Sequence, residues 1–208
     1  MNFYPLVIGK DEIEKKRHPL KAQNSLLRYV IFLLCFVIVF TWIIPSYVYV
    51  NIPVQGESML PTFNNTGDTV GLWMLGEPDY LDVVVVYVPS LGKLLIKRVI
   101  GKAGDTLRVK FDYRRNENYV ERIKTDGTVE KLYREDEPYI LEEMQRHIGV
   151  EWTVAENEIF VAGDNRNDSN DSFSFGPISL EHYIGKVVLV FNSQGIHIFD
   201  KNTSKYAA

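Results

Sequence analysis

An apolar run near the start constrains this chain more than any other feature. The residues from Tyr29 to Ile44, YVIFLLCFVIVFTWII, carry no charge, and the mostly apolar PSYVYV follows them. A helix of about 20 residues, rising about 1.5 Å per residue, crosses a hydrocarbon core of about 30 Å. A helix buried in a soluble core would instead show polar residues at a 3.6-residue period. The run therefore predicts one transmembrane helix, assigned to residues 26–50.

Basic residues are distributed unevenly around this run. Six Lys and Arg residues precede Tyr29, and the first one after the run is Lys93. Because Lys and Arg collect on the cytoplasmic side of a membrane, residues 1–25 are predicted to be cytoplasmic and residues 51–208 to lie outside. The residues after the run contain no Ala-x-Ala site of the kind that ends a cleaved signal peptide, so we expect a retained single-pass anchor.

The composition excludes several kinds of partner and site. The formal net charge is −4 and no basic stripe is present, so nucleic acid is not an expected partner. A single cysteine, Cys35, excludes an internal disulfide and a Cys-rich metal site. The 208 residues suffice for one catalytic domain and a short appendage rather than for two large domains.

Beyond the apolar run the pattern changes to short β-branched segments. Gly, Pro, Asn and Asp separate them, and a helical period is seen only in EPYILEEMQRHI, residues 137–148. The fold class is therefore predicted as mainly β, with an antiparallel sheet in the outer domain. Residues 106–158 are much richer in charge than their flanks and are interpreted as a cap inserted into that sheet. The segments expected to form strands are VYVNIPV, TVGLW, DVVVVYV, LLIKRVI, TLRVKF, EIFVAG and KVVLVF.

One serine raises the question of a nucleophile. Ser58 lies in VQGESMLPTF, residues 54–63, and a serine needs a base to become nucleophilic. The histidines, the usual bases, lie away from any acid-and-glycine loop: His18, His147, His182 and His197. The other candidate base is Lys97, which lies inside the apolar segment LLIKRVI. It is either an edge residue that reaches water or a buried amine, whose pKa would fall from about 10.4 by about two to three units.

A third cluster, GDNRNDSNDSFSFGPI at residues 163–178, places Asp, Asn and Ser between glycines directly after a predicted strand. This composition is typical of a tight loop held by hydrogen bonds from side chains to backbone, and an ordinary Asx-rich turn fits it equally well. The cluster follows GESMLPT, the Gly67-Asp68 pair and KRVIGKAGD, behind one membrane segment. In this order the motifs resemble those of the bacterial type I signal peptidases, and the resemblance extends over residues 26–191.

The resemblance implies a role for each matching residue. Ser58 matches the nucleophile, Lys97 matches the general base, and Ser169 matches a serine that orients the lysine amine by a hydrogen bond. Further loop residues are implied to shape the site, with carboxylates that contact backbone and Arg groups: Asp164, Asn165, Arg166 and Asp171. Shallow pockets for small substrate side chains are implied at Ile52, Val54, Met59, Leu95 and Ile96. Neither a metal nor an organic cofactor is implied.

Two positions depart from the family pattern. Gly56 stands where some members carry a hydroxyl residue that helps to form the oxyanion hole, which leaves the Ser58 N–H as the main donor. Phe173 stands where the family usually has Arg, so the Asp171 carboxylate must bind Arg166, a backbone N–H or water instead. Neither departure removes an atom that makes or breaks the peptide bond.

The implied function is that of a membrane-bound serine endopeptidase, which removes signal peptides from exported preproteins at Ala-x-Ala-like sites. Eight residue steps separate Val50 from Ser58, so at about 3.3 Å per residue the serine lies within about 26 Å of the membrane edge. The expected partners are therefore signal peptides and the lipid bilayer, and the enzyme is expected to be a monomer. Four N-glycosylation triplets, two of them in the Ser169 loop, favour a bacterial membrane over the endoplasmic reticulum.

Two alternatives stay open at this level. Soluble Ser/Lys self-cleaving repressor and mutagenesis proteins share a similar catalytic core, but they lack a membrane segment. A catalytically impaired membrane scaffold with the same fold is the other alternative, in which Gly56 and Phe173 would record the loss of activity.

Overall fold

The computed structural model describes residues 25–43, 45, 49–65, 67–134, 136–140 and 142–202, and the chain divides into two units, residues 1–47 and 48–208. In the first unit, helix α1 (Ser25–Ile43) is long and apolar enough to cross a membrane, and its side chains are exposed. Its last turn, Val39–Ile43, is π-helical. The 19 residues extend for about 28 Å at about 1.5 Å each.

The predicted span of residues 26–50 is too long at its C-terminal end. Tyr49 and Val50 belong to strand β1 (Tyr49–Pro53), where they lie opposite Trp73 and Leu72. They fall both in the predicted span and in the predicted strand VYVNIPV, because hydropathy alone does not separate an apolar strand from an apolar helix. The segment predicted to be cytoplasmic lies outside the described residues, except for Ser25, which begins α1.

The second unit is built on a large antiparallel sheet. Its strands are β1 (Tyr49–Pro53), β2 (Thr69–Trp73), β3 (Val83–Val88), β4 (Lys93–Lys102), β9 (Glu158–Ala162), β10 (Ile178–Ser179), β11 (Tyr183–Asn192) and β12 (Gly195–Ile198). Their order across the sheet is β1-β2-β11-β3-β4-β9-β10, with β12 pairing with β11. All seven apolar segments expected to be strands form strands, six of them in this sheet.

A second antiparallel sheet occupies the charge-rich segment between β4 and β9. Its order is β7-β6-β5-β8, from β5 (Thr106–Asp112), β6 (Glu117–Ile123), β7 (Val129–Leu132) and β8 (Glu151–Thr153). We call residues 106–158 the cap. The cap is fixed to the large sheet by a shared core, in which Leu107 and Val120 pack with Ile100, Phe160 and Phe173. Not all of the charged side chains are solvated, since Glu121 and Arg122 of β6 are buried.

The helical period in residues 137–148 does not produce a helix. The described residues of this segment form turns and bends. Tyr139, Ile140 and Met144 are nevertheless buried. These apolar side chains therefore pack against the domain individually and do not form the face of a helix. Such tertiary contacts override a weak periodic preference. The one short α-helix of the described outer unit is α2 (Ser172–Phe175), within the loop after β9.

Two further clusters position the functional loops. Alternate residues of β3 point to opposite faces of the sheet, as the period of a strand requires. On one face, Val83 and Val85 pack with Met59 and Phe63, which anchors the loop that carries Ser58. On the other face, Val84 and its neighbours form a separate aliphatic cluster.

Candidate active site

Ser58 and Lys97 meet in the folded domain although 39 residues separate them in the chain. The Lys97 Nζ lies 2.5 Å from the Ser58 Oγ. Ser58 is carried by the loop after β1, and Lys97 by the middle of β4. A hydroxyl in hydrogen-bond contact with an amine is the arrangement that a serine nucleophile and its base require.

The surroundings of Lys97 make the neutral amine easier to form than in an exposed lysine. Its side chain is only 2% exposed, so it is a buried amine rather than an edge residue that reaches water. Burial lowers the pKa of Lys97 to about 8, against the opposing influence of the Asp171 and Asp164 carboxylates, which raise it. At pH 8 about half of the Lys97 amines would therefore be unprotonated and able to accept a proton.

Two hydrogen-bonded loops hold the serine in place. The backbone N–H of Asn165 donates to the Ser58 carbonyl oxygen at 3.0 Å. The Asn165 side-chain amide donates to the Glu57 carbonyl oxygen at 3.3 Å, and the Thr62 hydroxyl donates to Asp164 Oδ2 at 2.5 Å. Through Asp164 and Asn165, the loop after β9 thus binds the serine loop at both ends.

The residue after Lys97 in β4, Arg98, forms a buried ion pair with Asp164. Arg98 donates from Nε and Nη2 to the two Asp164 carboxylate oxygens, at 2.8 and 2.7 Å, and both side chains are fully buried. Such bidentate pairs fix the relative orientation of both groups. Sequence reasoning predicted an Arg contact for Asp164 but did not select Arg98. The available signal was a second cation beside Lys97 in a segment of apolar residues.

The Asp171 carboxylate binds backbone N–H groups, which was one of the partners left open by the sequence. It accepts hydrogen bonds from the N–H groups of Gly163 at 2.9 Å and Phe173 at 3.2 Å, and so caps helix α2. The Phe173 ring is buried beside Phe160 and Trp152, with ring centroids 4.9 and 5.2 Å away. An aromatic contact therefore occupies the position of the missing cation.

Two loop residues differ from their expected contacts. The Ser169 Oγ is buried without a hydrogen-bond partner in the described structure, and the expected bond to Lys97 is not formed. The reason is local: the hydroxyl is turned to Gly163, while the Lys97 amine is turned to Ser58. Arg166 is also buried, but its Nε and Nη1 have no partner among the described residues, and Asp171, for which Arg166 was a candidate partner, is bound by backbone N–H groups.

Arg146 of the cap was missed by sequence reasoning. Its Nη2 donates to the carbonyl oxygens of Arg166 and Ser169, both at 2.8 Å. The cap therefore binds the loop after β9, and that loop in turn binds the loop that carries Ser58. No motif signalled this contact, because one surface arginine among several is not distinguishable in the sequence.

A groove of about 410 Å³ begins at the Ser58–Lys97 contact. Residues 52–56 line one side and residues 93–97 the other. In the described sheet β1 pairs with β2 alone, and β4 meets β9 only from Arg98 onward, so both sides present a strand edge without a partner. The groove contains all the residues predicted to line the substrate pockets: Ile52, Val54, Met59, Leu95 and Ile96.

No cluster suited to a metal ion is present among the described residues. Groups of three or more His, Cys, Asp and Glu side chains are not found within reach of one ion in that part of the chain. The described histidines, His147, His182 and His197, do not line the groove.

Known proteins resemble this chain over most of its length. A family model described as signal peptidase, peptidase S26, matches residues 26–192. Probable signal peptidase I-1 of Synechocystis is 30% identical over 154 residues, 66% of this chain and 68% of that protein. Signal peptidase IB of Staphylococcus aureus is 28% identical over 206 residues, 88% and 99% of the two chains. A crystal structure of a signal peptidase I from Enterococcus faecalis is 24% identical, with a TM-score of 0.37 over 54% of this chain and 97% of that one.

The family model covers every motif from which the site was built. Its range includes the serine loop, the strand that carries Lys97 and the loop that carries Asp164. The relative from Staphylococcus aureus aligns over almost the full length of both chains. The chain therefore belongs to the signal peptidase family, peptidase S26, and is a serine peptidase of the signal peptidase I type.

Proposed function

We propose that this protein is a membrane-anchored signal peptidase that cuts preproteins after small residues, with Ser58 as nucleophile and Lys97 as general base. The observation that carries the proposal is the 2.5 Å contact between the Ser58 hydroxyl and a buried lysine amine, at one end of a groove. Helix α1 would serve as the anchor, with residues 1–25 cytoplasmic and the outer unit on the opposite side of the membrane.

The groove suits an extended peptide. A substrate strand inserted between residues 52–56 and residues 93–97 would find backbone partners on both sides, which is recognition by β-augmentation. Alternate side chains of a strand point to the same face. The two alanines of an Ala-x-Ala sequence would therefore enter the same side of the groove, near Met59 and Ile96, which pack in one cluster.

The reaction begins with the neutral Lys97 amine. As the Ser58 Oγ attacks the carbonyl carbon of the last signal-peptide residue, Lys97 accepts the hydroxyl proton and a tetrahedral intermediate forms. The C–N bond then breaks, and Lys97 returns the proton to the leaving amine, which becomes the N-terminus of the mature protein. The signal peptide remains as an ester on Ser58. Water attacks this ester while Lys97 accepts a proton from it, and a second tetrahedral intermediate forms. The C–O bond to Ser58 then breaks, Lys97 returns the proton to the Ser58 Oγ, and the signal peptide leaves as a carboxylic acid.

The oxyanion of the tetrahedral intermediate needs a hydrogen-bond donor. The Ser58 N–H is proposed for this role because none of the hydrogen bonds recorded for the described residues uses it. Gly56 adopts a φ of 84°, and a Cβ at this position would meet no atom within 4 Å. Space for water therefore exists beside the serine, where other family members place a hydroxyl side chain.

Cleavage of a preprotein with an Ala-x-Ala site tests the proposal. The wild type, Ser58→Ala and Lys97→Ala would be compared in detergent or lipid, and the new N-terminus would be sequenced. The proposal requires cutting after the last alanine by the wild type and at least a thousand-fold loss in both variants, on the order of the effects seen for catalytic nucleophiles and bases. A folded wild type that cuts no preprotein would overturn it and favour the impaired scaffold.

A further inference from the structure

The Arg98–Asp164 ion pair joins segments from distant parts of the chain. Asp164 Oδ2 also accepts a hydrogen bond from Thr62 of the serine loop. Arg98 Nη1 donates to the Lys201 carbonyl oxygen at 2.6 Å, near the C-terminal end of the described chain. The remaining face of the guanidinium is covered by the ring of Tyr139, which belongs to the cap. The ion pair is therefore contacted by three separate segments: the serine loop, the C-terminal region and the cap.

The Tyr139 contact has the geometry of a cation–π interaction. The Arg98 Cζ lies 3.9 Å from the ring centroid, and Tyr139 is 2% exposed. A guanidinium over an aromatic face is attracted to the ring and is shielded from water on that side. The ring contact therefore restrains Arg98 where it binds both Asp164 oxygens.

The position of this pair matters because Arg98 is the residue next to Lys97. Asp164 is one of the two carboxylates whose charge raises the pKa of Lys97, against the effect of burial. Arg98 neutralises that carboxylate at close range. If Arg98 moved away or became hydrated, the Asp164 charge would act on the lysine with less compensation. The serine loop would also lose its fixed neighbour through Thr62.

We infer that Tyr139 is a positioning residue for catalysis, by which the cap holds Arg98 against Asp164 and thereby holds the Ser58 loop and Lys97 in their reactive arrangement. This inference rests on the proposed function, because its readout is the cleavage reaction. It assigns a catalytic purpose to a segment that the sequence pattern described only as part of a charged cap.

Other charged groups also act on these residues and must stay unchanged in the test. Asp171 is the second carboxylate that raises the pKa of Lys97. Glu137, two residues before Tyr139, has its own pKa raised by burial and lies within the influence of Arg166 and Arg98. Substitutions at position 139 alone leave all of these charges in place.

The experiment compares Tyr139→Leu, Tyr139→Met and Tyr139→Phe with the control Tyr133→Leu. Tyr133 is also a buried cap tyrosine under an arginine, since Arg115 lies 4.1 Å from its ring centroid, but that arginine pairs with Glu117 and Asp136. The kcat, the KM and the pH dependence of kcat/KM would be measured with a preprotein, at a temperature at which circular dichroism shows each variant to be folded.

Tyr139→Leu is expected to lower kcat by about five- to thirty-fold with KM within about two-fold, which corresponds to the loss of one shielded cation–π contact. The midpoint of its pH profile is expected to rise above that of the wild type. Tyr139→Phe keeps the ring face and should stay within about two-fold in kcat. Tyr133→Leu should lower the melting temperature while kcat and the midpoint remain those of the wild type.

Three results would overturn the inference. One is a Tyr139→Leu enzyme with wild-type kcat and midpoint, and another is a Tyr133→Leu enzyme that shows the same changes as Tyr139→Leu. The third is failure of both Tyr139→Leu and Tyr139→Met to fold while Tyr133→Leu folds, which would make Tyr139 a structural residue. The proposed function fails separately, if Ser58→Ala or Lys97→Ala keeps activity, and that outcome does not depend on position 139.

Discussion

Gly163 and Ser58 approach each other so closely that a side chain at position 163 has no room. A Cβ built there would lie 2.5 Å from the Ser58 carbonyl oxygen and 2.3 Å from the Ser169 hydroxyl. The glycine is therefore required by proximity, since its φ is not in the left-handed region. It allows the loop after β9 to run directly beneath the serine.

The first prediction concerns this contact. Gly163→Ala should lower kcat/KM by about a hundred-fold, because a displacement of about 1 Å at a catalytic group has effects of that order. Gly101→Ala is the matched control, since its Cβ would lie 2.6 Å from Leu107 Cδ1, in the core shared with the cap. The control should lose stability yet keep its activity per folded molecule. Equal activity losses in the two variants would show that crowding at Gly163 acts through general destabilisation.

The second prediction concerns the pH dependence of cleavage. Because the folded pKa of Lys97 is about 8 and the unprotonated amine is the active form, kcat/KM should rise with pH, reach half its maximum near pH 8 and level off above it. The measurement needs a substrate without groups that titrate between about pH 6 and pH 10. A midpoint near the ordinary lysine value, or a profile that falls with pH, would contradict the role of Lys97 as a buried base.

The third prediction concerns the stability cost of that lysine. Between about pH 8 and pH 10.5 the unfolded chain holds a proton that the folded chain has lost, so Lys97 makes stability increase with pH across this window. Below pH 8 the folded state carries the whole cost of the buried ammonium, about 3 kcal/mol.

Lys97→Met should therefore raise the free energy of unfolding at pH 7 by about 2–3 kcal/mol, and the difference from the wild type should shrink as the pH approaches 10.5. Denaturant unfolding of the isolated outer unit at several pH values measures this, once that unit has been shown to fold. Lys93→Met, on the exposed part of the same strand, is the control and should change little. A variant less stable than the wild type at pH 7 would refute the argument.

The fourth prediction concerns the departure at Phe173. Phe173→Arg restores the residue that the resemblance would suggest, yet it should lower the free energy of unfolding by about 3–5 kcal/mol. The side chain would enter an aromatic cluster with Trp152 and Phe160, while Asp171 already has two backbone donors. Phe173→Leu, an apolar control, should lose less. A Phe173→Arg variant as stable as the wild type would contradict this prediction. It would mean that the arginine forms an ion pair with Asp171 in spite of the aromatic packing.

Local patterns in the sequence were sufficient for part of the fold. Alternating β-branched residues and the glycines and prolines between them identified seven of the twelve described strands, because both are properties of neighbouring residues. Strands β6, β7, β8, β10 and β12 were not predicted, and the helical period of residues 137–148 produced turns and bends. Helix α1 was recognised because its apolar run needs no partner. The predicted span and the predicted strand VYVNIPV overlapped at Tyr49 and Val50, and the pairing with β2 decided between them.

The order of three motifs was also sufficient to select Ser58, Lys97 and the loop residues, and the family match agrees with the resemblance on which they were chosen. Their catalytic roles remain predictions. The contacts between them are a different matter, because each joins residues that are far apart in the chain. Arg98 was passed over although it binds Asp164, and the expected bond from Ser169 to Lys97 is not formed.

What the sequence by itself determined is seven of the twelve described strands, the apolar helix and the chemical types of the candidate residues. Only the tertiary structure decided which of those residues meet: that Lys97 is buried against Ser58, that Arg98 rather than Arg166 binds Asp164, and that the cap supplies Tyr139. The physical reason is that burial, pKa and ion pairing depend on distances through space. Such distances are set by the packing of sheets and loops, and no short stretch of sequence records them.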